Sequence, residues 1–361
     1  MGLLAKVPPA LWFDLGKIAL VLGAVLAVVP YLVMAERKIC AWMQDRKGPN
    51  RVGIFGMGNR LALGQPLADG IKLLFKEDLV PAGADRGLFF AAPVLVLVPP
   101  LATLAIVPFG ADLMLFGLRI PLQIADLNIG LLYFLALGAF SVYGLALGGW
   151  ASNNKYSLMG GLRSTAQLIS YEVALGLGIV GVALAAGSLS PRDIVLAQGQ
   201  PLLGIPGLRW NIFLQPVGFL VFLVACFAEN NRLPFDLPEA ESELVGGYHT
   251  EYSGMKFGLF MMAENAEMIL LSSLMTTLYL GGWQVPFADP AWIAGGGIPA
   301  VLLTIACFVL KVSALLLVFI VTRWSLPRFR YDQLMGLGWK GLIPLGLANC
   351  LFAAALSIMV R

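Results

Sequence analysis

The residues best suited to chemistry in this chain are acids, and they crowd one stretch. From Glu229 to Glu251, six carboxylates (Glu229, Asp236, Glu239, Glu241, Glu243 and Glu251) share 23 residues with one lysine or arginine, Arg232. The whole chain holds only 21 acids. Like charges this close raise one another's proton affinity and bring protonation near neutral pH within reach. Glu229 also ends an apolar run, which places it at or inside a hydrocarbon boundary. A solvated acidic loop is the plain alternative. Pro234 and Pro238 forbid a regular helix through the start of the stretch. Helical geometry is expected to resume near Glu239, where Glu239 and Glu243 would share a face and Glu241 would turn away.

Other ionisable residues lie inside apolar runs: Glu172, the pair Glu264 and Glu267 one turn apart, and Lys311. Each costs at least about 2.5–3.5 kcal/mol to place in hydrocarbon, so a function is the default reading. A proton or ion pathway and a structural ion pair both remain open for each. Glu36 stands at the end of the first run, while Asp69 and Arg163 belong nearer an interface. Arg37, Lys38, Arg46, Lys47 and Arg51 cluster after that first run. Lys38 and Lys47 read as topology determinants. Arg46 and Arg51 bracket Gly48-Pro49-Asn50, a turn stiffened by proline, which suits a docking surface or a cavity wall. A second basic stretch, Arg323 to Arg330, is expected to face a partner as well.

Several function classes drop out. A net charge of +3, spread along the chain, does not suggest nucleic-acid binding. The four cysteines are far apart and His249 is the only histidine, so neither a zinc site nor an iron–sulfur cluster is expected. No P-loop or nucleophile elbow is present. The Gly176 to Gly178 triplet lies in an apolar run, where it is expected to allow close helix packing.

The elements that must hold these groups are membrane helices. Of the 361 residues, 59% are hydrophobic and only 12% charged, against about 25% charged in a soluble domain. A membrane helix needs about 20 apolar residues. Eight stretches qualify, at about 11–34, 88–109, 128–149, 165–186, 212–229, 255–280, 298–322 and 339–360. The expected fold is therefore all-α, a single polytopic membrane domain over residues 1–361. The first run is expected to be retained rather than cleaved as a signal. Of the 24 Lys and Arg, 17 fall in or beside the connections after the odd-numbered spans and 6 on the other side, with Lys311 inside a span. That bias makes the connections at about 35–87, 150–164, 230–254 and 323–338 cytoplasmic and puts both termini outside. Within the first connection, residues 60–76 read as an amphipathic helix. Leu63, Leu67, Ile71, Leu74 and Phe75 fall on one face. Such a helix lies in the interface or packs on the spans.

Several blocks together resemble one family. They are Glu36-Arg37-Lys38; Arg46-Lys47-Gly48-Pro49-Asn50-Arg51-Val52-Gly53; Gln65-Pro66-Leu67-Ala68-Asp69-Gly70; and Lys76-Glu77-Asp78. Then come Gly149-Trp150-Ala151-Ser152-Asn153-Asn154-Lys155-Tyr156, Tyr171-Glu172, and Ala228-Glu229 with Pro234-Phe235-Asp236-Leu237-Pro238-Glu239-Ala240-Glu241-Ser242-Glu243-Leu244-Val245. Thr250-Glu251-Tyr252-Ser253-Gly254 and Leu326-Pro327-Arg328-Phe329-Arg330-Tyr331-Asp332-Gln333-Leu334-Met335 complete the set. In this order the sequence resembles the quinone-site membrane subunit (the H subunit) of the proton-pumping NADH:quinone oxidoreductases, respiratory complex I. The resemblance implies a proton pathway through Glu36, Glu172, Glu229, Glu239, Glu241, Glu243 and Glu264. It implies a quinone chamber or docking surface at Arg37, Arg46, Arg51, Asp69, Arg232, Phe235 and Asp236. Quinone would be the substrate, entering among spans one and six and the interfacial helix. No iron–sulfur cluster, flavin or metal is expected in this chain. The implied partners are the hydrophilic-arm and neighbouring membrane subunits, with lipid, in a bacterial cytoplasmic membrane.

The chain departs from the family in four places. It is longer between Gly53 and Gln65, carries Asn265 where tyrosine is common, is acidic at Glu267, and has Arg323-Trp324-Ser325 before Leu326. Three other readings compete: the related membrane subunit of an energy-converting hydrogenase, a stand-alone ion-coupled transporter, and a scaffold whose acids form structural ion pairs. Co-purified subunits distinguish them.

Overall fold

A run of apolar residues longer than a soluble core can bury satisfies its backbone only by coiling into helix. The computed structural model describes residues 9–53, 62–115, 118–201, 209–239, 241–286 and 297–360. Its helices are α1 (Pro9–Met43), α2 (Gln65–Phe75), α3 (Arg86–Thr103), α4 (Gly130–Ala151), α5 (Lys155–Ala186), α6 (Pro191–Gln198), α7 (Asn211–Leu214), α8 (Pro216–Glu229), α9 (Glu241–Leu244), α10 (Gly254–Tyr279), α11 (Gly297–Ser325), α12 (Tyr331–Gly336) and α13 (Ile343–Val360). A π-helical turn, Leu337–Leu342, joins the last two. Among the described residues, seven helical stretches are long and apolar enough to cross a membrane, and α8 is a shorter apolar helix beside them. Among the described residues, one short antiparallel pair, Leu113–Leu115 against Leu118–Ile120, departs from helix.

Several helices outrun their apolar cores. At about 1.5 Å per residue, the 35 residues of α1 span about 52 Å, well beyond a hydrocarbon layer of about 30 Å. Its last turns carry Glu36, Arg37 and Lys38, so residues 35–43 are helix where the charge pattern suggests a loop. Likewise α5 begins at Lys155, not near 165, because Asn154 caps it, accepting from the Tyr156 amide at 2.9 Å. The connection there shrinks to Ser152–Asn154. The final crossing begins at Tyr331 and not at 339. In each case charge near a helix end resembled a loop.

The helix expected over 60–76 covers Gln65–Phe75, with residues 60 and 61 outside the described set. Pro66 suits its first turn. Leu67, Ile71, Leu74 and Phe75 are all exposed. Leu73 instead meets Gly258 of α10, so α2 rests on α1 and α10 by its other side and turns its apolar stripe outward.

The core gathers around α5 and α10. α5 packs against α4, α8 and α13, and α10 packs against α3 and α11. Every residue of α10 from Met268 to Tyr279 is buried. Three of its hydroxyls stay inside the helix: Ser273, Thr276 and Thr277 each donate to the carbonyl four residues back. Gly178 allows α8 close, since a Cβ there would meet Phe222 at 3.2 Å, whereas Gly176 faces open space. Only one glycine of that triplet serves packing.

Candidate functional site

The acid-rich stretch does not hang in solvent; it folds back between helix ends. Arg232 is 3% exposed and spreads its guanidinium over three partners. Nη1 donates to Glu36 Oε2 at 2.9 Å, Nε to Glu264 Oε1 at 2.8 Å and Nη2 to Asn265 Oδ1 at 3.1 Å. The second Glu36 oxygen accepts from Arg323. This hub ties α1, α10 and α11 to the 230–239 segment. Burial disfavours the Arg232 charge, but Glu264 and Glu36 outweigh it and raise its pKa. Asn265 supplies one of the hub's acceptors.

A row of carboxylates lies behind the hub. Glu229, 4% exposed, ends α8 within electrostatic range of Glu267 of α10 and Glu172 of α5. Glu267 in turn feels Glu264. The row thus runs from the hub at Glu264 through Glu267 to Glu229 and Glu172. Glu267 is the member between Glu264 and Glu229.

The rest of the segment is pinned from two more sides. Arg328 donates to Asp236 Oδ2 at 2.6 Å and the Phe329 amide to Pro234 O at 3.1 Å. The Phe235 ring sits edge-on to Tyr171 and tilted on Phe329, each at 5.5 Å between centroids. Burial pushes Asp236 up to about 6, helped by the Glu239 charge and opposed by Arg328. Glu239 does not share a helical face with Glu243, because helix starts only at Glu241. Glu239 lies 3.2 Å from His249 Nε2, while Glu243 turns to Arg163 at 2.7 Å on the exposed rim. Burial alone would raise Glu239 and lower His249. Their mutual attraction wins, lowering the Glu239 pKa and raising that of His249. The Glu241 side chain lies outside the described residues.

The comparisons with known proteins agree on one family. The family model described as NADH dehydrogenase matches residues 16–354. A Geobacter metallireducens protein, named as an H subunit of NADH-quinone oxidoreductase, is 54% identical over 338 residues, covering 93% of this chain and 94% of its own. A Thermomicrobium roseum protein with the same H-subunit name is 51% identical over 332 residues (91% of each). A Rhodothermus marinus protein named NADH-quinone oxidoreductase subunit 8 is 47% identical over 342 residues (93% and 94%). The chain belongs to the NADH dehydrogenase family.

In this NADH dehydrogenase family member the remaining sequence-flagged residues stand apart from the acid row. Arg37 donates to Asp69 at 2.7 Å and Gln65 to the other Asp69 oxygen at 2.9 Å, which ties α1 to α2. Arg46 and Arg51 are exposed around a turn where Gly48 takes a φ of 60°. In the second basic stretch Arg330 projects outward, while Arg323 and Arg328 reach Glu36 and Asp236 from the surface. Arg323 and Arg328 pair with these acids while keeping about a third of each side chain exposed, 34% and 31%.

Among the described residues Lys311 is not paired with an acid, and it stands outside the row. Its ammonium donates to the carbonyls of Leu280 at 2.7 Å, Gly282 at 3.0 Å and Gln284 at 2.7 Å, and lies 4.1 Å from the centre of the Trp210 ring. Gly281 and Gly282, at φ of 72° and 55°, turn the chain so that these carbonyls converge. Lys311 caps the end of α10.

Sequence reasoning missed Gln167, Arg323 and Arg328 as site members, and His249 as the partner of Glu239. The signal for Gln167 was there: Ser164, Gln167 and Tyr171 fall at helical spacing in an otherwise apolar run. Among the described residues, no three His, Cys, Asp or Glu side chains converge as a metal-ligand set.

Proposed function

We propose that this chain is the quinone-site membrane subunit of a proton-translocating NADH:quinone oxidoreductase, its H subunit. It forms part of the quinone chamber, docks the hydrophilic arm, and couples quinone reduction to proton movement. The observation that carries the reading is the hub: Arg232 binds Glu36 and Glu264 at the head of the row Glu264, Glu267, Glu229 and Glu172. Reducing a quinone to its quinol takes two electrons and two protons. The electrons come from a partner subunit. The demand for protons, or the charge present before they arrive, acts on the 229–243 segment. A charge change at Asp236, Glu239 or Glu241 alters the field on Arg232 and Glu229, and the row hands it onward through the bilayer.

Arg37, Asp69, Phe235 and Asp236 belong to the chamber side, and Arg46 and Arg51 to the docking face. Quinone enters past α1, α2 and α10, with the outward apolar stripe of α2 lying in lipid. The 17 to 6 bias of Lys and Arg supports a docking face in the cytoplasm of a bacterial cell and, with α8 as an eighth crossing of the cytoplasmic membrane, both termini outside. The experiment is Glu229→Gln in the assembled complex, with quinone reduction and proton translocation measured in the same vesicles. Translocation per quinone is expected to collapse while the complex stays intact. Unchanged translocation overturns the reading.

A further inference from the structure

The acid segment is held by a residue that neither the hub nor the row includes. Gln167, on α5, is fully buried. Its amide nitrogen lies 2.8 Å from Ala228 O, 2.9 Å from Phe235 O and 3.2 Å from Asn231 Oδ1. Ala228 is the last residue before Glu229, and Phe235 the last before Asp236. One side chain therefore grips the segment just ahead of each of two buried acids and closes the turn between them. The segment's own side chains do little of this. Glu229 Oε2, Asn230 Oδ1 and Nδ2, and Asp236 Oδ1 are all buried without a hydrogen-bond partner among the described residues. The pins come from outside: Arg328 on Asp236, Glu36 and Glu264 on Arg232, and Gln167 on the backbone. Gln167, like the Phe329 amide on Pro234, is uncharged, so its hold does not change when an acid gains or loses a proton.

We infer that Gln167 is a positioning residue for the coupling step: by clamping Ala228 and Phe235 to α5 it fixes Glu229 and Asp236 in one register. The inference rests on the proposed function and deepens it. Gln167 touches no substrate and carries no proton. With the clamp gone, the turn relaxes, Asp236 gains solvent and the geometry between the two acids is lost, while the charged hub still holds the helices together.

The test is Gln167→Met in the whole complex, which keeps side-chain length and removes the donors. The readouts are quinone reduction, protons moved per quinone, and the pH profile of both. The variant is expected to lose the greater part of the protons moved per quinone. The acid limb of its profile should shift to lower pH by about one unit as Asp236 becomes solvated. Gln167→Glu is the second variant, and it decides the matter if the methionine form fails to assemble. Only a protonated carboxyl donates, so its coupling should recover as pH is lowered. Wild-type stoichiometry and profile in Gln167→Met overturn the inference, as does a parallel fall in both activities with an unmoved profile. So does a Gln167→Glu variant whose coupling ignores pH. If Glu229→Gln abolishes translocation and Gln167→Met does not, this inference fails and the proposed function stands.

Discussion

Removing the Arg232 guanidinium tests the hub most directly. Arg232→Met keeps the apolar stem and deletes all three donors. The arginine side chain is 3% exposed, with Glu36 at 8% and Glu264 at 18%. Breaking a buried pair by deleting one partner costs about 3–5 kcal/mol, because the other charge is left without compensation. The two acids do not suffer equally. Glu36 keeps Arg323 on its other oxygen, whereas Glu264 loses its hydrogen-bonded cation. The penalty therefore falls mainly on Glu264, and the total stays near about 3–5 kcal/mol rather than twice that. Adding Glu264→Gln to Arg232→Met removes the stranded charge and should recover about 1–3 kcal/mol, a coupling typical of residues in contact. Arg232→Lys should be intermediate, since an ammonium cannot reproduce the fork that reaches three acceptors on two helices. The assay is denaturant-induced dissociation of the purified complex, followed on native gels and completed as a double-mutant cycle. If Arg232→Met lies within about 0.5 kcal/mol of wild type, or the double variant is no better than the single, the three bonds are not the hub they look to be.

Two other sites make different demands. Lys311→Met leaves the carbonyls of Leu280, Gly282 and Gln284 without their donor, at about 1–3 kcal/mol for each unmet buried acceptor, partly offset by no longer burying an ammonium. The complex should therefore lose thermal stability while protons moved per quinone stay at wild type. A pumping defect at full stability would return Lys311 to the proton pathway. His249 and Glu239 predict a pH window. The raised His249 pKa gives stability that is full below the ordinary histidine value of 6.5 and is lost as pH rises through the higher folded value. The lowered Glu239 pKa gives stability that is full above the ordinary glutamate value of 4.5 and is lost as pH falls through the lower folded value. Protection of residues 238–249 from hydrogen exchange should thus be greatest between about pH 4.5 and 6.5 and weaken on the alkaline side. His249→Gln should flatten that alkaline loss, and an unchanged profile would remove the pair from any role in holding the segment.

Long apolar runs made the helices legible, because hydropathy over some 20 residues reports directly on a membrane-spanning element. The ends were less legible. Glu36 to Lys38, and Lys155 to Arg163, look like loop because they are charged, yet a helix continues past the hydrocarbon wherever its caps and partners allow. The acids could be singled out one at a time, since a carboxylate inside an apolar run is costly wherever it points. Their partners could not. Arg232 and Glu36 are 196 residues apart and Arg323 and Glu36 are 287 apart, and no local periodicity encodes such a meeting. The same limit hid the pairing of Arg323 and Arg328: a sequence shows that a base is near a membrane surface, not whether an acid lies beneath it. Lys311 shows it in the opposite sense, since its partners are backbone carbonyls and leave no mark in residue type.

The pins on the 229–239 segment differ in what loosens them, and that difference gives the arrangement a direction. The Arg232 contacts to Glu36 and Glu264 and the Arg328 contact to Asp236 are charge-assisted, so protonating an acid weakens them. The Gln167 contacts are neutral and persist. A proton taken up at Asp236 would therefore free the end of the segment held by Arg328 while Ala228 and Phe235 stay fixed to α5. Movement would then be confined to the part beyond Phe235, where Glu239 meets His249, and would leave Glu229 in place beside Glu267. Without the Gln167 contacts the same change would leave Arg232 as the nearest side-chain pin on the stretch between Glu229 and Asp236, and Glu229 would lose its register with the row. The mixture of pins lets one acid respond to protonation while the next keeps the geometry needed to sense it.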